Sequence, residues 1–239
     1  MKQVLFVRPD SREGGKIMWC ASGSQQVDVV ERLDALADHP LAARVCLLLP
    51  AGNMIFRHFT LPKKVASLAT AFSWLAEETL IGEVDNLHWT VLHKKGANVD
   101  AVAIDTDLLR GWLARCQEAG LKVIQVLPDA WLLPVTAGGS TLVALDDRYW
   151  LRLSPHVASD MEASLLPLLM QKTPDGDVCC YGEPPAGVGV DLLHPWQHPL
   201  VLIQPQWQSC RVTLLHGEFS PKAGKGSASK GIKIAMAAA

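Results

Sequence analysis

Residues 101–127 hold the pattern that most restricts the fold. Ala101-Val-Ala-Ile104 is a short, wholly apolar run of the kind shown by a strand buried on both faces. Asp105 or Thr106 supplies a helix cap, and Leu108, Leu109, Trp112, Leu113 and Cys116 follow at helical spacing to about Ala119. Gly120 suits the position just past a helix end, with Leu121 as its hydrophobic contact. Lys122 to Leu127 returns to strand, and Pro128-Asp129 opens a short helix to Leu133. Strand, helix and strand in this order predict a βαβ unit with at least one parallel pair, hence an α/β fold.

The flanking segments extend the pattern. Residues 3–8, Lys16–Cys20 and Gln26–Val29 read as a strand meander that turns at Gly14-Gly15. A helix is predicted over 29–37 from Val30, Leu33, Leu36 and Ala37, closed by His39-Pro40, and a buried strand over 43–49. Met54 to Thr60 alternates as a strand. Pro62 leads into a helix over 65–80 with Leu68, Phe72, Leu75 and Thr79 on one stripe, and Gly82 suits its end. An acidic loop and a strand to Leu92 come next. Glu77 and Glu78 lie near the helix C-terminus, where its dipole disfavours them, and local conflicts of this kind tend to mark function.

Val135-Thr-Ala-Gly-Gly-Ser140 is a boundary, after which the pattern restarts. Strands are predicted over 141–145 and 148–153 around an Asp146-Asp147 turn. Ser159-Asp-Met-Glu162 reads as a capping box for a helix through Met170, kinked at Pro167. A strand over 178–181 and a Gly/Pro-rich loop over 182–197 come after it, and 200–204 and 211–215 read as late strands or short helices. Hairpin, helix and strand thus occur twice, from residue 3 and from residue 141. The division predicted is a first lobe of 1–53 and 98–134, an inserted α/β subdomain of 54–97, a second lobe of 135–221, and a basic linker of 222–239.

Charge and cysteines narrow the function classes. The formal net charge of −2 carries no nucleic-acid signature. Setting aside Lys222, Lys225, Lys230 and Lys233 leaves 18 basic residues against 24 acidic ones, so the body is acidic and the tail basic. The six cysteines form no C-x-x-C pair and sit among apolar residues, which suits reduced, buried thiols in a reducing compartment. The apolar end, Ile232 to Ala239, comes after a Gly/Ser/Lys stretch. It suits a chain cut at the start of a transmembrane helix with its lysines on the cytoplasmic side, or a frayed tail with cloning residues.

No catalytic constellation is present. Two α/β lobes with an insertion suggest an actin-like ATPase, whose phosphate site needs glycines and an acid at the first hairpin turn of each lobe. The first turn here begins Arg8-Pro9-Asp10, with a rigid proline. The second reads Asp146-Asp147-Arg148, with no glycine and two acids that repel phosphate. Gly224-Lys225-Gly226-Ser227 lacks the leading glycine and strand of a phosphate loop. The eight histidines are scattered along the chain, and prolines at 195 and 199 break any helix between His194 and His198. Catalytic residues, cofactors and metal ligands are therefore expected to be absent. Trp74, Trp89, Trp112 and Trp150 fall at core spacing, and Trp74 also flanks the acidic run.

Phe56-Arg-His-Phe-Thr-Leu-Pro62, Trp74-Leu-Ala-Glu-Glu78 and Glu83-Val-Asp-Asn-Leu-His-Trp89, in that order, resemble the N-terminal cytoplasmic region of the type II secretion system protein L family. So do Ala101 to Asp105, Trp112-Leu113, Ala119-Gly-Leu121 and Leu127-Pro-Asp-Ala130. The resemblance covers residues from about 43 to 134, and the flanks only by order of elements. Its specificity lies in order and spacing.

It implies two RNase H-like lobes of the actin-like ATPase superfamily, with a small inserted strand–helix–strand subdomain and no working nucleotide site. It implies an inner-membrane protein that recruits the secretion ATPase (the E protein) through that enzyme's N-terminal region, contacts the inner-membrane M protein and forms a homodimer. A transmembrane helix and a periplasmic domain would come next. On this reading Phe56, Phe59, Trp74, Glu77, Glu78, Glu83 and Asp85 form the partner surface, and Lys222, Lys225, Lys230 and Lys233 are membrane-proximal. An actin-like ATP-binding protein, a pilus-assembly M-type protein and a purely structural platform subunit are the alternatives.

Overall fold

The computed structural model describes residues 3–10, 15–62, 67–77, 86–173 and 176–221. The first sheet contains β1 (Leu5–Pro9), β2 (Ile17–Ala21), β3 (Asp28–Val30) and β4 (Val45–Leu49). The chain then makes an excursion through β5 (Met54–Thr60), α1 (Leu68–Glu77), β6 (Leu87–Lys95) and β7 (Asn98–Asp105). Helix α2 (Thr106–Glu118) returns it to β8 (Val123–Pro128). The second half holds β9 (Ser140–Leu145), β10 (Arg148–Ser154), β11 (Val157–Glu162), α3 (Leu166–Met170), β12 (Val178–Tyr181), β13 (Leu192–His194), α4 (Pro199–Leu202) and α5 (Gln204–Ser209).

Two five-stranded sheets share one topology, β3-β2-β1-β4-β8 and β11-β10-β9-β12-β13. In each, an antiparallel meander is continued by parallel strands beside its first member. This is the repeated, RNase H-like arrangement that the sequence suggested. Strands β1 and β4 are buried at every position, as parallel neighbours covered on both faces require.

The βαβ prediction is corrected in one respect. β7 pairs antiparallel with β5 and β6 in a third sheet of order β5-β7-β6, while β8 pairs parallel with β4. Helix α2 therefore joins two sheets, and the parallel pair closes across the whole 54–105 excursion. The caps at both ends of α2 are the expected kind. Asp105 Oδ1 accepts from the Leu108 N–H at 2.8 Å. Gly120 takes φ of 75°, which lets the Leu121 N–H donate back to the Cys116 carbonyl at 2.8 Å.

Other boundaries move. The predicted 29–37 helix is only a 3₁₀ turn at Leu33–Leu36, because Asp28–Val30 pairs with β2 and the proline at 40 disfavours helical backbone at the residue before it. The predicted capping box at 159–162 lies in a strand: Trp150 pairs with Asp160, and Leu151 with Ser159. The helix after it is just Leu166–Met170, with Pro167 in its first turn, where it causes no kink. The inserted subdomain's sheet runs to Asp105, beyond the predicted boundary at 97.

Residues 199–219, predicted as part of the second lobe, pack back on the first sheet and the insertion. Trp207 meets Phe6 edge-on at 5.0 Å, and the Leu214 N–H donates to the Val126 carbonyl. The main core accordingly runs from Phe6 and Leu47 through Trp150 to Leu200 and Leu214.

Candidate functional site

The junction between the first two sheets, beside the end of β1, is filled by a buried ion network. Arg8, at the end of β1, is buried to 5% exposure. Its Nε donates to Asp129 Oδ2 at 3.0 Å, its Nη2 lies 3.6 Å from Asp160 Oδ2, and its guanidinium sits 5.2 Å over the Trp150 ring. Asp129 Oδ1 accepts from the backbone N–H groups of Ala51 at 2.8 Å and Ala130 at 2.6 Å. Asp160, inward-facing on β11, accepts from the Gly52 N–H at 2.8 Å and from Arg148 Nε at 3.2 Å. Two guanidinium groups thus balance two carboxylates between the sheets.

The chemistry left over is small. The N–H groups of the 51–53 turn are the kind of donors that cradle an anion, and here Asp129 and Asp160 supply that anion. A Cβ at position 52 would collide with Asp160, so the glycine is required for the close approach. Burial pushes the Asp129 carboxyl up to about 6, against the pull of Arg8; the nearby Asp160 also raises it.

The excursion's own core lies under α1. Ala71, Phe72 and Ala76 face the third sheet, where Phe59 stacks on Phe72 at 5.0 Å and meets Trp89 at 5.2 Å. The opposite face carries Ser67, Thr70, Trp74 and Glu77, all exposed at i, i+3, i+7 and i+10. Trp74 is 56% exposed, which corrects its reading as core.

Phe56 and Phe59, predicted for the partner surface, are buried at 8% and 6%. Phe56 packs in the main core and Phe59 under α1, on opposite faces of β5, so neither side chain is offered outward. Glu78, Glu83, Asp85, Lys222, Lys225, Lys230 and Lys233 lie outside the described residues. No helix among the described residues is long and apolar enough to cross a membrane.

Sequence reasoning missed one constellation. The histidines taken as scattered include His58, His93 and His156, all of which approach Asp100. His194, by contrast, stacks on Tyr181, and His198 Nδ1 accepts from the Leu200 N–H at 3.1 Å to cap α4. Asp146 takes φ of 54° in the hairpin turn. All six cysteines are unpaired, and burial pushes the Cys20 thiol up to about 12.

Comparison with known proteins agrees with this geometry. The family model for type II secretion system (T2SS), protein L, matches residues 5–222. A putative type II secretion system protein L of Escherichia coli K12 is 33% identical over 91% of this chain and 59% of its own length. The type II secretion system protein L of Dickeya chrysanthemi is 28% identical over 92% of this chain and 57% of its own. The chain therefore spans somewhat under three fifths of the length of these curated relatives. The cytoplasmic domain of EpsL, an inner membrane component of the type II secretion system of Vibrio cholerae, superposes with a TM-score of 0.75 at 24% identity. That match covers 91% of this chain and 100% of the solved one, and shows a shared fold. Since the family model runs through both lobes, the insertion and the returning segment, the chain belongs to the type II secretion system protein L family.

Proposed function

We propose that this chain is the cytoplasmic part of an inner-membrane platform protein of a type II secretion system, and that it docks the N-terminal region of the secretion ATPase without hydrolysing nucleotide itself. The observation that carries the reading is Trp74, 56% exposed on a helix whose other face is fully engaged. Exposed tryptophans are characteristic anchors of protein interfaces. Glu77 lies one turn on, and Glu78, Glu83 and Asp85 come next in sequence as rim charges that steer encounter. The sealed junction around Arg8 supports a scaffold over an ATPase. The M protein and a second copy of this chain are further partners on this reading. The tail lysines Lys222, Lys225, Lys230 and Lys233 suit the anionic cytoplasmic leaflet.

Binding calorimetry with the ATPase's N-terminal region tests the docking site. Trp74→Ala is expected to cost about 2 kcal/mol of affinity, roughly 30-fold. Its thermal stability should stay within about 0.5 kcal/mol of wild type, since the residue is exposed. Replacing Glu77, Glu78, Glu83 and Asp85 together should chiefly slow association. Unchanged affinity in both variants would remove the site assignment. Saturable binding of ATP with Mg²⁺ in the same instrument would restore the actin-like ATP-binding alternative.

A further inference from the structure

We propose that His93, Asp100 and His156 form a binding site for a divalent transition-metal ion, with zinc the best-matched occupant, and that the ion staples the inserted subdomain to the second lobe. Asp100 lies on β7, the central strand of the three-stranded sheet. Its neighbours across the ladder are His58 on β5 and His93 on β6. The register on the β6 side shifts between Val91 and His93, so that His93 is the residue facing Asp100. Three side chains of metal-binding or orienting type therefore form one row across the sheet.

The fourth comes from the other lobe. His156 sits in the turn between β10 and β11, and its ring stacks on His93 at 4.8 Å with 10° between planes. The turn is fixed from behind. The Pro155 carbonyl accepts from Arg152 Nη2 at 2.7 Å and from Trp131 Nε1 at 3.1 Å. Nδ1 of His156 is buried with no hydrogen-bond partner among the described residues, so packing and stacking orient the ring.

The distances match a metal's requirements. Asp100 Oδ2 lies 3.5 Å from His93 Nδ1 and 3.6 Å from His156 Nε2. Two ligands of a tetrahedral zinc, each about 2.0–2.1 Å from the ion, stand about 3.3–3.4 Å apart. One ligand atom from each of the three residues lies within 4.8 Å of the others, and side-chain rotation closes the remaining gap between the imidazoles. His58 Nδ1 bonds to the other carboxylate oxygen, Oδ1, at 2.8 Å. That contact turns Oδ2 toward the two imidazoles, the orienting role that outer partners of metal ligands play. Two imidazoles and one carboxylate suit zinc, with a fourth position for water or for His58 after it rotates. Parallel imidazoles stacked beside one carboxylate would repel each other if both were protonated, whereas a shared cation suits them in the neutral form.

The test uses tag-free protein freed of metal by chelator and titrated with Zn²⁺. One ion per chain is expected, with a rise in melting temperature. The double variant His93→Ala/His156→Ala should bind at least about tenfold more weakly and lose the metal-dependent rise. His194→Ala, which changes a histidine outside the cluster, should behave as wild type. Co²⁺ gives an independent readout on wild-type protein alone, through the intense visible bands of four-coordinate cobalt, so the answer does not depend on the variants folding. Absence of saturable zinc binding, affinity unchanged in the double variant, or cobalt bands of six-coordinate type would each overturn the site.

Discussion

Replacing Arg8 by Met is expected to lower the unfolding free energy by about 3–5 kcal/mol, the usual consequence of stranding the partner of a buried ion pair. Asp129, which is fully buried, would be stranded without a counter-charge, and Asp160, at 4% exposure, would lose one of its two guanidinium partners. Arg148 would remain within reach of Asp160 at 3.2 Å but is not paired with Asp129. The pH dependence identifies the cause. In the wild-type protein burial lifts Asp129 from 3.8 to about 6. Between those values the native state holds more proton than the unfolded chain, so this group's stabilising contribution is full below 3.8 and is lost as pH rises through about 6. Removing the opposing cation raises the carboxyl further. The Arg8→Met deficit should therefore be largest at neutral pH and shrink on acidification. Urea unfolding on both sides of pH 6 measures this. A deficit below about 1 kcal/mol, the size of a solvent-screened pair, would mean that water reaches the junction.

Phe72→Ala carries the second large effect, about 3–5 kcal/mol, confined to the excursion. Phe72 is 1% exposed and is the ring through which α1 grips both Phe59 and Trp89. The ten residues of α1 are too few to hold a helix in water once undocked. Its core is a cluster distinct from the one spanning the two lobes, so the damage should stay local. Hydrogen exchange is expected to accelerate over Leu68–Glu77 and the third sheet, with β1, β4 and β8 unaffected. On the proposed docking, affinity for the ATPase's N-terminal region should fall at least as far as in Trp74→Ala, since the tryptophan loses its platform. Uniform acceleration throughout the protein would show that the excursion and the lobes unfold as one unit.

Legibility in the sequence tracked the range of the interactions involved. Strands β1 and β4 announced themselves as continuous apolar runs, and α2 was readable to its caps because Asp105, Gly120 and Leu121 act within one turn. β11 was misread because its inward face presents Ala158 and Asp160. The charged inward residue hid the strand's alternation, while Ser159 and Glu162 imitated a helix start. Only pairing with β10 and contact with Arg8 and Arg148 decide that segment, and both are non-local. Exposure of the residues read as a partner surface was legible only in part. Trp74 and Glu77 are exposed, but the alternation of β5 could not reveal that Phe56 packs in the main core and Phe59 under α1. The histidine cluster was invisible for the same reason, since it needs the register of three strands and a turn from the opposite lobe.

The segment returning from the second lobe has a mechanical consequence. Before residue 221 it lies across two sheets at once. Gln125 Nε2 donates to the Val212 carbonyl at 2.7 Å, and the Leu214 carbonyl and His216 ring meet His88 and Thr90 of β6 at 2.9 and 2.8 Å. Arg110 of α2 pairs with Glu218 at 3.1 Å. Tension applied at the chain's exit would therefore load the seam between the first sheet and the excursion. It would pull on the sheet beneath α1 through β6, so such a load and any contact made at Trp74 would act on opposite faces of one small layer.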